Sequence, residues 1–302
     1  MKKTNSKPYT GIFCVLFAAI LWGSMGVFVR YLNAAGLSAL EVTQVRITVG
    51  LIAIASYLAI FKRDLLKIKL KDIWCFLGTG VVSLLFFSTC YFKSIEYGTS
   101  LSVAAILLYT APIFVMLMSL VLFKEKMTVV KLIALILAFG GCILVSGVAG
   151  DMGNVTGIVL AIASGFFYAL YSIFSRYAIN KGYGSLTIVF YTFLFCTIGC
   201  SCLADWRTIT SVVLTPNIKI ILLCIGLGII TGFLPYVFYS RGLELMESSK
   251  ASILASVEPV VGTLFGVFLF HEPLTLLGGI GIALVLGAVV LLSVKKKDKN
   301  DR

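Results

Sequence analysis

Two charged residues stand where charge is costly. Arg46 lies eight residues into an apolar run that begins near position 38, and Glu258 is similarly placed in a run that begins near 251. At the helical rise, eight residues put Arg46 about 12 Å from the start of its run. An arginine near the middle of a bilayer costs roughly 2.5–3.5 kcal/mol on insertion scales, so it must face water or a partner. A carboxylate would suit Arg46, and an ammonium or a proton would suit Glu258. A zwitterionic cargo supplies both charges at once. The alternative is that Arg46 and Glu258 simply pair with each other as a buried structural couple. Aromatic residues add a second signal, because Trp22, Tyr109, Tyr168, Tyr171 and Tyr236 all fall inside apolar runs. A tyrosine at such depth needs a hydrogen-bond partner and suits a wet cavity better than a lipid face. For each of them, ordinary packing between helices is the alternative. The candidate substrate-binding residues are therefore Trp22, Arg46, Tyr109, Tyr168 and Glu258.

The elements that hold these residues must be membrane helices. Of 302 residues, 60% are hydrophobic and 13% are charged, and the mean hydropathy is +1.05. A water-soluble domain cannot bury that much apolar surface, so the solvent is lipid. Apolar runs lie at about 11–31, 38–60, 73–92, 100–122, 129–147, 157–178, 185–204, 219–241, 251–270 and 274–293. The fold class expected is an all-α membrane protein with ten transmembrane helices. The first run follows Lys2, Lys3 and Lys7 in the manner of a signal peptide, but it is long enough to span and is expected to be retained.

Charge sets the orientation. The net charge is +12, yet the basic residues fall in short runs between apolar segments. That pattern fits loops facing anionic lipid and argues against nucleic acid as a partner. With the N-terminus inside, the inner segments hold 20 of the 25 Lys and Arg residues, including Lys62 to Lys71 and Lys295 to Arg302. Both termini are therefore expected to be cytoplasmic in a multi-pass protein of the cell membrane. Cys14, Cys90, Cys142, Cys196 and Cys224 lie inside apolar runs, where cysteine acts as a small apolar residue.

The chain also repeats itself. Pro112 pairs with Pro259, Glu125 with Glu272 and Thr128 with Thr275, each 147 residues apart. Phe28, Arg30 and Tyr31 recur as Phe174, Arg176 and Tyr177, and Tyr91 and Glu96 recur as Tyr239 and Glu244. The period marks a duplicated domain, 11–147 and 157–293, with a polar link at 150–156 and a basic tail at 294–302. Each copy holds five helices, so the second enters the membrane from the other side, and the copies are expected to be inverted repeats. Arg46 maps to Thr192 and Glu258 to Ala111, so the buried charges are not shared. Shared residues are expected to build the scaffold and unshared charges to meet the cargo. Pro112 and Pro259 remove a backbone donor in mid-span and are expected to kink their helices, either for gating or for packing alone. Glu125 and Glu272 stand just before helices five and ten, where a carboxylate favours the helix N-terminus. The Gly262–Gly266 pair is a GxxxG match that suits intramolecular packing and leaves a homodimer open.

Two five-helix units, the stretch Leu21 to Arg30, and an apolar-Pro-apolar-Glu pattern in helices four and nine resemble the EamA family of the drug/metabolite transporter superfamily. The resemblance covers almost the whole chain. It implies a ten-helix permease with a central cavity that often exports amino acids or other small metabolites. No nucleotide-binding GxxxxGK[ST] loop occurs. Coupling to a proton or ion gradient, or facilitated diffusion, is expected, with no cofactor. The alternative is a membrane-embedded lipid-modifying enzyme. It would need a polar catalytic cluster near one interface, and there is no HExxH, histidine pair or carboxylate cluster with metal-ligand spacing. No catalytic or metal-binding residue is therefore expected. The topology is directly testable: a reporter fused after Gly150 should read outside and one fused after Arg302 inside. A cytoplasmic signal from the link would break the five-plus-five scheme.

Overall fold

The computed structural model describes residues 9–147, 154–215 and 217–294. Lys2, Lys3 and Lys7, most of the polar link and residues 295–302 of the basic tail lie outside the described residues. Among the described residues there are helices and connecting turns and no strand. Nine helices among the described residues are long and apolar enough to cross a membrane: α1 (Thr10–Ala34), α2 (Ala39–Phe61), α3 (Leu70–Glu96), α4 (Leu101–Phe123), α5 (Val129–Ser146), α6 (Val155–Asn180), α8 (Ile218–Leu245), α9 (Ser248–Phe270) and α10 (Leu276–Ser293). The tenth, α7 (Ser185–Ser201), turns by 110° into the short helix Trp206–Val213. Large apolar side chains such as Phe13, Ile60, Val121, Ile136 and Val290 stand exposed around the bundle, which is what a lipid-facing surface requires. The protein is an all-α membrane protein of ten helices in two inverted five-helix repeats.

The repeats interlock. Helix α1 packs on α8 while its counterpart α6 packs on α3, and α2 packs on α8 while α7 packs on α3. Helices α5 and α10 pack on each other. A Cβ on Gly141 would meet the Gly281 carbonyl oxygen at 2.7 Å, and a Cβ on Gly281 would meet that of Gly141 at 2.7 Å. Small residues are what permit this backbone approach in lipid, where no hydrophobic force drives helices together.

Local geometry repeats as well. Thr128 caps α5 by accepting from Lys131 N, and Thr275 caps α10 by accepting from Gly278 N. Lys124 and His271, the residues just before the paired glutamates, both adopt φ of 53°. Glu125 N and Glu272 N then donate to Ser119 O and Gly266 O, each at 3.2 Å. Both α3 and α8 carry a π-helical stretch, Gly78–Leu85 and Leu227–Phe233. Helices α4 and α9 are each broken in the middle, into Leu101–Leu108 with Ala111–Phe123 and Ser248–Ala255 with Glu258–Phe270. Each proline sits in the first turn of the second half, where its missing N–H lacks an intrahelical acceptor in any case.

The paired glutamates depart from the sequence expectation. Among the described residues neither accepts a hydrogen bond from the N-terminus of the helix that follows it, where Thr128 and Thr275 are the caps. The Glu125 side chain crosses to the N-terminus of α9, while Glu272 pairs with Arg30 at 2.8 Å. Gly266 is committed within the chain too, since a Cβ there would meet Glu272 Oε2 at 2.5 Å.

The loops joining α2 to α3, α4 to α5, α6 to α7 and α8 to α9 share one end of the bundle, called here the basic face. On it Lys181 donates to Asp72 at 2.6 Å, and the carboxylate holds this ammonium above the ordinary lysine pKa.

The reciprocal glycine contact gives a stability test. Gly141→Val should lower thermal stability in detergent by about 1–3 kcal/mol, the usual cost of overpacking. Gly140→Val, where a Cβ meets nothing within 4 Å, should be tolerated. Equal loss for both would show that the α5–α10 crossing is not as close as described.

Candidate functional site

A cavity of about 350 Å³ lies between the repeats, and Trp22, Arg46, Tyr109, Tyr168 and Glu258 all line it. Each arrives from a different helix. Trp22 precedes a one-residue interruption of α1 at Ser24, whose hydroxyl donates to Leu21 O at 2.7 Å. Arg46 is on α2. Tyr109 occupies the break in α4, Glu258 starts the second half of α9, and Tyr168 is in mid-α6. The breaks therefore deliver two of the five residues. The lining continues through Val29, Ala105 and Ile95 to exposed Asn33 and Leu101, so the cavity opens at the end opposite the basic face.

The two charges share this space without neutralising each other. Arg46 is 6% exposed, and no ion pair joins it to Glu258 within 4.0 Å. Among the described residues, its one side-chain hydrogen-bond partner is Met25 Sδ. A thioether is a weak acceptor, so the guanidinium keeps most of its binding capacity for something in the cavity. Glu258 is partly exposed and lines the same cavity. It sits in the first turn of its half-helix, where the partial positive charge of the helix terminus favours a carboxylate.

Aromatic rings form the floor. Trp22 packs edge-on against Tyr236 with centroids 5.2 Å apart, and Tyr171 against the same ring at 5.3 Å. Tyr168 rests on Phe87 at 5.2 Å. Below the floor a small pocket of about 30 Å³ continues toward the basic face, lined by Pro112, Ser172, Tyr239 and Ser252 among others. Hydrogen bonds seal its sides, from Tyr171 to Ser240 at 2.7 Å and from Ser172 to Tyr239 at 2.8 Å. Pro112 thus touches this lower pocket, whereas Pro259 lines neither space.

The cavity also uses residues that sequence reasoning missed: Met25, Thr43, Phe87, Ser88 and Tyr91. Thr43 was recoverable, because it precedes Arg46 by three residues and so shares its helix face. Nothing in the sequence joins Met25 to Arg46, which lies on the neighbouring helix. Among the described residues no group of three or more His, Cys, Asp or Glu could hold a metal ion.

Comparison with known proteins agrees with this architecture. The profile of the EamA-like transporter family matches twice, at residues 9–147 and 155–294. The chain belongs to the EamA-like transporter family. A relative from Archaeoglobus fulgidus, named an uncharacterized transporter, is 30% identical over 93% of this chain and 95% of its own length. The uncharacterized transporter YxxF of Bacillus subtilis is 25% identical over 98% of this chain and 93% of its own. The uncharacterized inner membrane transporter YicL of Salmonella typhimurium is 25% identical over 95% and 96%. A solved crystal structure superposes with a TM-score of 0.76 at 17% identity, over 94% of this chain and 96% of the other, which shows a shared fold. This EamA-like protein is thus a multi-pass membrane transporter.

Proposed function

We propose that this transporter moves a small zwitterionic metabolite, such as an amino acid, by alternating access. The observation that carries the reading is that Arg46 and Glu258 open into one cavity of about 350 Å³ and are not paired with each other. A cargo carboxylate on Arg46 and a cargo ammonium near Glu258 would satisfy both charges, while the aromatic walls take up an apolar side chain. The polar groups sit in mid-bundle rather than at one interface, which favours passage over lipid chemistry.

The positive-inside rule makes the basic face cytoplasmic. The cavity then opens outward, with the aromatic floor and the contacts below it closing the cytoplasmic side. Export would load cargo from the basic face and release it through this mouth. Glu258 can also carry a proton through the cycle, which would couple transport to a gradient. Pro112 and Pro259 hold α4 and α9 broken, so the half-helices can tilt separately as the cavity changes sides.

Arg46→Gln and Glu258→Gln should each lower transport into proteoliposomes by about tenfold or more, equivalent to about 1.4 kcal/mol. Both proteins should reach near-normal levels in the membrane, and in the same assay Pro259→Ala should slow transport. If one charge substitution is silent, the zwitterion reading is wrong. If both variants misfold, Arg46 and Glu258 are structural.

A further inference from the structure

The duplicated glutamates occupy different states in this one structure. Glu125 is held tightly, with its side chain 9% exposed. Its carboxylate accepts from Ser248 N at 2.8 Å, Ser249 N at 3.1 Å and Ser249 Oγ at 2.5 Å. The first N–H groups of a helix have no intrahelical partner, so a carboxylate supplied from another loop is held firmly there. Arg176 reinforces the contact by donating to Ser248 Oγ at 2.9 Å and to the Met246 carbonyl. The α4–α5 loop, α6 and the start of α9 are thereby tied together across the basic face. Glu272, the counterpart of Glu125, is 54% exposed. Among the described residues its one side-chain partner is Arg30, the counterpart of Arg176, which also lies over the Phe270 ring at 4.2 Å. Among the described residues no hydrogen bond or ion pair joins Glu272 to the start of α4, which stands at the cavity mouth with Leu101 64% exposed.

At the start of α4 the matching partners are present. Anchored on Pro112 and Pro259, the first residue of α4 is Leu101 where α9 has Ser248, and the second is Ser102 where α9 has Ser249. The serine that receives Glu125 is therefore duplicated, as are both glutamates, both arginines and the left-handed residue that presents each glutamate.

We propose that Glu125 and Glu272 are the latches of two alternating gates. When the basic face opens, Glu125 leaves the N-terminus of α9. Glu272 then leaves Arg30 and closes the opposite mouth by accepting from Leu101 N, Ser102 N and Ser102 Oγ. The latches are unequal. Lys131 strengthens the basic-face latch through Glu247 at 2.5 Å and Ser249 Oγ at 2.9 Å. The equivalent positions opposite are Gly278 and Ser100, which cannot form that ion pair. The structure therefore rests with its basic face shut.

This proposal rests on the alternating-access reading, but its test needs no cargo. Cysteines replace Ser252 in the lower pocket and Ala105 in the cavity wall, and labelling by a membrane-impermeant thiol reagent is read at each position by peptide mass spectrometry. Glu125→Gln or the milder Ser249→Ala should raise Ser252→Cys labelling from the basic face roughly fivefold or more, the lower range of measured couplings between sites, and lower Ala105→Cys labelling from the opposite face. Glu272→Gln and Ser102→Ala should do the reverse at Ser252→Cys. If Glu272→Gln and Ser102→Ala leave Ser252→Cys labelling unchanged, Glu272 is only a surface ion pair and the latch proposal fails. If no variant alters labelling at either position although each is folded, the two faces do not alternate, and the transport reading fails with it.

Discussion

A bilayer core offers no water to an unpaired backbone group, so each N–H and C=O must be satisfied within the protein or in a space that water can enter. This constraint governs α4 and α9. Each is interrupted in mid-membrane, at Tyr109–Thr110 and at Ser256–Val257. An interruption facing lipid would strand several backbone groups at a cost of several kcal/mol each. Both breaks must therefore turn inward, and in doing so they create the cavity. Tyr109 and Glu258 line it because they occur at the breaks. Arg46 is tolerated on α2 because the same space gives its guanidinium something other than hydrocarbon to face. The interlocked packing, with α1 on α8 and α6 on α3, brings together helices that line the cavity through Trp22, Tyr236, Tyr168 and Phe87.

The same inverted repeat supplies the means of motion. Two copies of one sequence fold into slightly different arrangements, and under the proposed alternating access an exchange of those arrangements would move the opening from one face to the other. The structure shows the difference at the level of single contacts. One glutamate caps a helix and is buried, while its twin lies in an exposed ion pair. An exposed pair is worth about 0–1 kcal/mol, so Arg30 does little to prevent Glu272 from leaving. The buried contact on the basic face is the stronger, and the extra Lys131–Glu247 pair adds to it.

Much of this was legible in the sequence, because lipid imposes long apolar runs and charge bias. Ten spans, the repeat and the inward-facing Arg46, Glu258, Trp22, Tyr109 and Tyr168 follow from length, composition and burial cost. The partners of Glu125 were not legible. They lie 123 and 124 residues away, and nothing local distinguishes a carboxylate that caps its own helix from one that caps another. The π-helical stretches were hidden for a similar reason: widening a turn depends on neighbours such as α2 and α7 rather than on propensity. The shared glutamates have the same turn and backbone bond but different side-chain partners.

The central claim is that the two faces open in alternation. Paired spin labels test it most directly, one pair at Asn33 and Leu101 across the mouth and another at Lys126 and Arg241 on the basic face, with distances measured in liposomes. Two populations are expected at each pair, with the longer distance on one face rising in step with the shorter distance on the other as conditions are varied. Distances that lengthen together, or a single unchanging distance at both pairs, would contradict it.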